Sequence, residues 1–137
     1  LSEEGIAHPM YSNKNKKFNA FCWHYDEAEI LPNNSQVLAS NNKCKFQSIS
    51  FRSNNSNVWA VQYHPEFNPN WMAGLMSQRK DILLEHNIYP NSSEFEKEKK
   101  IFESDSKLDN YEFNCYEDVI NEQKHSLELS NWLELKI

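Results

Sequence analysis

His64 and Glu66 are the side chains of this sequence whose types and spacing best suit acid–base chemistry. They lie in the segment VQYHPEF (61–67), at the point where a strand is predicted to end. Residues two apart on an extended chain point to the same side, and Pro65 favours extended geometry at His64. A carboxylate bonded to one imidazole nitrogen fixes the tautomer and leaves the other nitrogen as a base. The pattern predicts an oriented imidazole at the carboxyl edge of a sheet, where open α/β folds place their sites. Taken on spacing alone, an incidental surface pair is the alternative.

A second segment with chemical potential is FCWHYDEAEILP (21–32). His24 and Asp26 alternate onto one face at the end of a predicted strand. A metal bound by His24, Asp26 and His64 is conceivable, but nothing in the spacing requires one. A packed histidine is the competing interpretation, and we expect neither a metal nor a cofactor.

Composition excludes several function classes. The 137 residues carry 14 Lys+Arg against 20 Asp+Glu, and the formal charge of −6 argues against a nucleic-acid partner. No run approaches the ~18 consecutive apolar residues of a membrane helix, so no membrane partner is expected. Gly5 and Gly74 are the only glycines, which excludes a phosphate-binding loop, a dinucleotide fingerprint and a glycine-flanked nucleophile elbow within these residues.

The cysteines favour a reducing compartment. Cys22, Cys44 and Cys115 are odd in number and widely spaced, with no CxxC pair and no zinc-finger spacing. A disulfide framework is therefore not expected, and the sequence predicts a cytoplasmic protein.

The first part of the chain, residues 1–90, reads as short strands followed by a helix. Strands are predicted over 18–25, 36–39, 46–51 and 58–63, with a turn at 31–34 and a hairpin connection at 53–56. The apolar run 58–63 is typical of a strand covered on both faces. Asn68 as N-cap and Pro69 at the first helical position predict a helix that ends near Asn87.

After Asn91 the pattern becomes helical, and residues 91–137 are predicted to form an extension that packs on the same domain. Ser93 and Glu96 fit a capping box at the start of a strongly charged helix. Phe95 and Phe102 would form its apolar stripe. A last helix is predicted over about 121–135, with Leu129, Trp132, Leu133 and Lys136 on its packing side.

The ordered motifs between residues 21 and 67 resemble class I glutamine amidotransferases, and within them the GMP-synthase-like group. The segments that carry the resemblance are WHYDEAEILPNNSQVLASNNKCKFQSISF and VWAVQYHPEF. The N-terminal LSEEGIAHPMY and the closing LELSNWLELKI are also similar to segments of that family. The resemblance implies an α/β fold: the C-terminal part of a flavodoxin-like three-layer domain, with an antiparallel strand segment and C-terminal helices.

The resemblance also implies hydrolysis of glutamine to glutamate and ammonia by a Cys-His-Glu triad. His64 and Glu66 match the catalytic base and its orienting carboxylate. Trp23, Tyr25 and Asp26 match the loop that holds the amino-acid end of glutamine, although Tyr25 stands where a glycine is common in the family.

The family's nucleophile has no counterpart in this sequence. It lies in a Gly-x-Cys-x-Gly elbow, and none of the three cysteines here has neighbouring glycines. We therefore expect these residues to be the C-terminal part of a longer domain and to be inactive alone. A half-sheet also exposes an edge and an apolar face, which predicts pairing with a second copy.

Two other functions remain open at this point. One is a γ-glutamyl peptidase or hydrolase of the same superfamily, and the other is a non-catalytic remnant that serves as an interaction module.

Overall fold

The computed structural model describes residues 1–104 and 117–135. Within them, short strands and helices alternate in an α/β arrangement in which every strand pair is antiparallel. The helices are α1 (Glu3–Ala7), a 3-10 turn (Pro9–Tyr11), α2 (Pro69–Gln78), α3 (Lys80–Glu85), α4 (Ser92–Phe102), α5 (Glu117–Ile120), α6 (Glu122–His125) and α7 (Leu127–Leu133). The strands are β1 (Phe21–Cys22), β2 (Gln36–Ala39), β3 (Ser48–Ser53), β4 (Ser56–Val61) and β5 (Tyr63–His64). None of these helices is both long and apolar enough to cross a membrane.

Strands β2, β3 and β4 form one sheet in that order, and the predicted hairpin between β3 and β4 is confirmed. Asn54 takes the left-handed conformation at the turn, with φ of 53°, which asparagine tolerates better than most residues. Strand β2 has the predicted bounds, whereas the third strand begins two residues later than predicted, at Ser48.

The prediction of a strand covered on both faces over 58–63 is wrong. Residues 58–61 are only half-buried, because β4 is an edge strand of a three-stranded sheet. The chain then leaves this sheet at Gln62, and Tyr63 begins a separate ladder.

That second ladder pairs β1 with β5 through only two residue pairs, Phe21 with His64 and Cys22 with Tyr63. The strand predicted over 18–25 therefore shrinks to two residues. Each face of the ladder packs against a different core. Tyr63 belongs to the core formed with Met10, Tyr11, Leu38 and Ala39. Phe21 packs on the core formed by Met72, Met76, Leu83 and Phe95.

The helices after β5 begin as the sequence predicts and then differ from the prediction in detail. The side chain of Asn68 accepts a hydrogen bond from the amide of Trp71 at 2.9 Å, as expected of an N-cap. The helix predicted to run to Asn87 is interrupted at Arg79. Helix α4 is capped by Asn91, whose side chain accepts from the amide of Glu94 at 3.0 Å. The predicted cap, Ser93, lies inside the helix, because the side chain of Asn91 caps the free amide at its start.

The single C-terminal helix predicted over 121–135 is also wrong. Two short helices, α6 and α7, occupy this region, and the chain breaks between them at Ser126. Leu129, Trp132 and Leu133, predicted to pack, are 41%, 57% and 75% exposed. Glu128 is buried in their place, and Lys136 lies outside the described residues.

The C-terminal helices contact the first residues of the chain. The amide of the Asn131 side chain donates to the carbonyl of Met10 at 2.9 Å, and Lys14 pairs with Glu128 at 2.7 Å. The division into residues 1–90 and 91–137 stays a prediction.

The two edges of the three-stranded sheet differ in how they are covered. Ser2 lies against the outer edge of β2, where its amide donates to the carbonyl of Leu38 at 3.0 Å. In the part of the chain that the structure describes, no backbone group pairs with the outer edge of β4. Pairing of that edge with a second copy stays a prediction.

The two glycines give a matched test of the packing of α1 on β2. A Cβ at Gly5 would overlap the carbonyl oxygen of Leu38, whereas a Cβ at Gly74 would meet nothing within 4 Å. Both residues are helical, so replacement by alanine brings a similar propensity gain at each. We expect Gly5→Ala to lower the free energy of unfolding by about 1–3 kcal/mol and Gly74→Ala to raise it by up to about 1 kcal/mol. Urea unfolding measures both, and equal effects would contradict this account of α1.

Candidate active site

The side chains of His64 and Glu66 meet at the end of β5. Nδ1 of His64 lies 2.7 Å from Oε1 of Glu66, as the two-residue spacing predicts. Both side chains are partly exposed, with relative exposures of 30% and 52%. The pair is thus accessible to a reactant and is not part of a sealed core.

The hydrogen bond determines which imidazole nitrogen is available. An ionised carboxylate only accepts hydrogen bonds, so Nδ1 of His64 carries the proton that faces Glu66. In the neutral ring Nε2 is then unprotonated, and no described side chain hydrogen-bonds to it. The arrangement presents Nε2 as a base and lets Glu66 stabilise the imidazolium.

An aromatic stack holds the face of the imidazole. The ring of His64 lies 4.1 Å from that of Phe67, at an interplanar angle of 11°. Phe67 in turn stacks on Trp71, at 5.6 Å and 17°. The amide of Phe67 also donates to the carbonyl of His64 at 3.2 Å. The HPEF turn therefore fixes both the backbone and the ring of His64.

Two of the three predicted substrate residues line a groove on the second core. Trp23 is half-buried against that core, while Tyr25 is 74% exposed. Both line a groove of about 390 Å³ that Met72, Met76 and Phe102 also line. Asp26 is exposed, and its backbone carbonyl lies 2.9 Å from Nδ1 of His24.

His64 is a neighbour of this groove without lining it. Phe21 lines the groove and is the cross-strand partner of His64. Directly opposed residues of an antiparallel pair share one face of the ladder. The structure therefore brings His64 together with Glu66, and Trp23 together with Tyr25, and places the two groups side by side.

Neither described cysteine contacts His64. Cys22 is opposite Tyr63 in the ladder, so its thiol faces away from the imidazole. Desolvation raises the pKa of the Cys22 thiol, and burial raises the pKa of the Cys44 thiol. A reactive cysteine needs the opposite shift. Cys115 lies outside the described residues.

Metal-ligating side chains do not cluster in the part of the chain that the structure describes. There, no three His, Cys, Asp or Glu side chains converge as metal ligands. His24, Asp26 and His64 accordingly do not form a common site.

A buried polar cluster next to His64 was not predicted from the sequence. Glu128 is 2% exposed; it accepts from the hydroxyl of Tyr63 at 2.5 Å and pairs with Lys14 at 2.7 Å. The Tyr63 hydroxyl also lies 2.8 Å from that of Tyr11. Desolvation by burial is the main cause that raises the pKa of both phenols, that of Tyr11 to about 12. His125 adds a contact of 2.7 Å between its Nδ1 and the carbonyl of Pro65.

Comparison with known proteins assigns the family. The family model described as "Glutamine amidotransferase class-I" matches residues 2–83, which include the His–Glu pair and the predicted substrate loop. The chain belongs to the class I glutamine amidotransferases. The resemblance seen in the sequence is thereby confirmed, and the α/β arrangement of this amidotransferase domain is consistent with a flavodoxin-like fold.

Two kinds of curated relative match the amidotransferase chain. Gamma-glutamyl-L-1-hydroxyisopropylamide hydrolase from Pseudomonas sp is 27% identical over 98% of this chain and 47% of the relative. The glutamine-hydrolyzing GMP synthase subunits of Methanocaldococcus jannaschii and Methanococcus maripaludis are 28% and 30% identical, each over 42% of this chain and 29% of the relative. The chain spans less than half the length of the curated relatives it matches. No solved structure matches it significantly.

The hydrogen bond to Glu66 makes a spectroscopic prediction. In long-range ¹H–¹⁵N spectra at about pH 8.5, where an ordinary imidazole is neutral, Nδ1 of His64 is expected to be protonated and Nε2 unprotonated. Glu66→Ala removes the acceptor and is expected to mix the two tautomers. His24, whose Nδ1 faces a backbone carbonyl, is the internal control and should not change. An Nε2-protonated His64 in the unaltered chain would contradict the assignment.

Proposed function

We propose that this chain contributes the base and its orienting carboxylate to hydrolysis of a γ-glutamyl amide bond. The 2.7 Å bond between His64 and Glu66, inside the region that matches the family, is the observation that carries the proposal. In this role Nε2 of His64 moves protons and Glu66 holds the ring.

The proposed reaction is nucleophilic catalysis through a thioester. His64 accepts the proton of a cysteine thiol, and the thiolate attacks the γ-carbonyl carbon of the substrate. The carbon–nitrogen bond breaks as the imidazolium returns that proton to the leaving nitrogen. His64 then takes a proton from water, the resulting hydroxide displaces the thiolate from the thioester, and the imidazolium returns the proton to the sulfur as glutamate is released.

We place the nucleophile outside these 137 residues. The Cys22 thiol faces away from the imidazole, and the pKa values of the Cys22 and Cys44 thiols are raised when reactivity needs them lowered. None of the three cysteines has the flanking glycines of a nucleophile elbow, whose backbone amides contribute to the oxyanion hole. The chain alone is therefore proposed to be inactive, and the complete protein to be the hydrolase.

Glutamine is the first substrate we propose, with release of ammonia, as the family assignment supports. Trp23, Tyr25 and Asp26 would hold its amino-acid end at the rim of the groove. A substituted γ-glutamyl amide is the second candidate. It is favoured by the match to the γ-glutamyl amide hydrolase, which covers 98% of the chain and so includes the C-terminal helices.

Product assays separate these activities. The 137-residue chain is expected to release neither ammonia from glutamine nor an amine from a γ-glutamyl alkylamide. The complete protein that carries a Gly-x-Cys-x-Gly elbow is expected to release one of them. Turnover by the short chain would refute the placement of the nucleophile. No turnover by the complete protein on either substrate would favour a non-catalytic interaction module.

Substitutions in the complete protein test the two roles. His64→Ala removes the proton carrier and is expected to lower kcat/KM on the order of 10²–10⁴-fold. Glu66→Ala is expected to cost less, since it removes only orientation and imidazolium stabilisation. Glu94→Ala, which alters an exposed carboxylate of α4, is the control and should keep the original rate. Equal losses for His64→Ala and Glu66→Ala would contradict the division of roles.

A further inference from the structure

Two side chains of the C-terminal helices hold the residues on either side of His64. Glu128, in the first turn of α7, binds the hydroxyl of Tyr63. His125, the last residue of α6, binds the carbonyl of Pro65. The two held residues, Tyr63 and Pro65, directly precede and follow His64 in the chain, so both contacts flank the imidazole.

The His125 contact controls the backbone between His64 and Glu66. A carbonyl only accepts hydrogen bonds, so Nδ1 of His125 donates to Pro65, and the bond is buried at 2.7 Å. The ring of Pro65 locks its φ, which leaves ψ as the soft dihedral. The direction of the Pro65 carbonyl defines that ψ and hence the position of Glu66 relative to His64.

The Glu128 contact anchors the strand that carries His64. The ladder between β1 and β5 has only two residue pairs and is too short to be rigid alone. Tyr63 adds a buried phenol bonded to both Glu128 and Tyr11. Glu128 is itself fixed by Lys14, whose ammonium also donates to the carbonyl of Lys124 at 3.1 Å. The ion pair is almost fully buried, with side-chain exposures of 3% and 1%.

We propose that His125 and Glu128 are positioning residues that set the geometry of the His64–Glu66 pair without contacting either side chain. They act through Pro65 and Tyr63, to which their hydrogen bonds run. The proposal rests on the proposed function for its meaning in catalysis, but its structural content is independent of any substrate.

The test compares two substitutions of His125 in the full chain. His125→Leu removes the donor at similar size, whereas His125→Asn keeps an N–H donor at the same position along the side chain. With the leucine variant, we expect the His64 ring nitrogens to lose their single-tautomer pattern in ¹H–¹⁵N spectra. We also expect the Phe67 amide, which closes the turn onto His64, to exchange with solvent about tenfold faster, the loss expected for one buried hydrogen bond. His125→Asn is expected to restore both readouts towards those of the unaltered chain.

A folded His125→Leu chain with unchanged His64 signals and Phe67 exchange would overturn the proposal. If that variant does not fold, Tyr63→Phe tests the second contact by deleting one hydroxyl. It is expected to shift the same two readouts, and unchanged readouts would overturn the proposal in the same way. Glu96→Gln, which breaks a part-exposed ion pair with Lys80, is the matched control and should leave His64 unchanged.

These outcomes are distinguishable from failure of the proposed function. The spectra and the exchange rates involve no substrate. Unchanged His64 signals and Phe67 exchange therefore count against the positioning role alone. Absence of amide hydrolysis by the complete protein counts against the catalytic assignment alone.

Discussion

The buried pairing of Lys14 with Glu128 is the interaction on which the rest of the structure depends. It joins the beginning of the chain to its C-terminal helices, and through Tyr63 it reaches the strand that carries His64. Two buried charges are tolerated here because each has further partners: a backbone carbonyl for the ammonium and a phenol for the carboxylate. Removing one partner would leave the other charge buried without its counter-charge, at a cost of about 3–5 kcal/mol. This pairing thus links the fold and the site.

The two faces of the β1–β5 ladder contact different parts of the domain. One face carries Tyr63 and is fixed in the first core by hydroxyl and carboxylate contacts. The other presents Phe21 and His64, where the second core, the Phe67 stack and the groove meet. An imidazole at such a boundary is held on one side and open on the other. That combination suits a base that must keep its orientation while protons and reactants come and go.

Several structural features that depend only on residues close together in the sequence were predicted correctly. The Asn68 cap, the hairpin at Asn54 and the approach of His64 to Glu66 all follow from local spacing, and the structure confirms each. The C-terminal helices could not be predicted in the same way. Their apolar residues suggested one packing stripe, but the inward side chain is Glu128, and its burial is compensated by Lys14 from the other end of the chain.

The shortness of the β1–β5 ladder has a consequence for how the domain responds to heat or denaturant. With two residue pairs, the strand that carries His64 depends for its order on short helices far along the sequence, and short helices fray readily. The imidazole should then lose its alignment while the β2–β3–β4 sheet is still intact. The His64–Glu66 geometry would then be lost before global melting, and bulk probes of secondary structure would register that loss late.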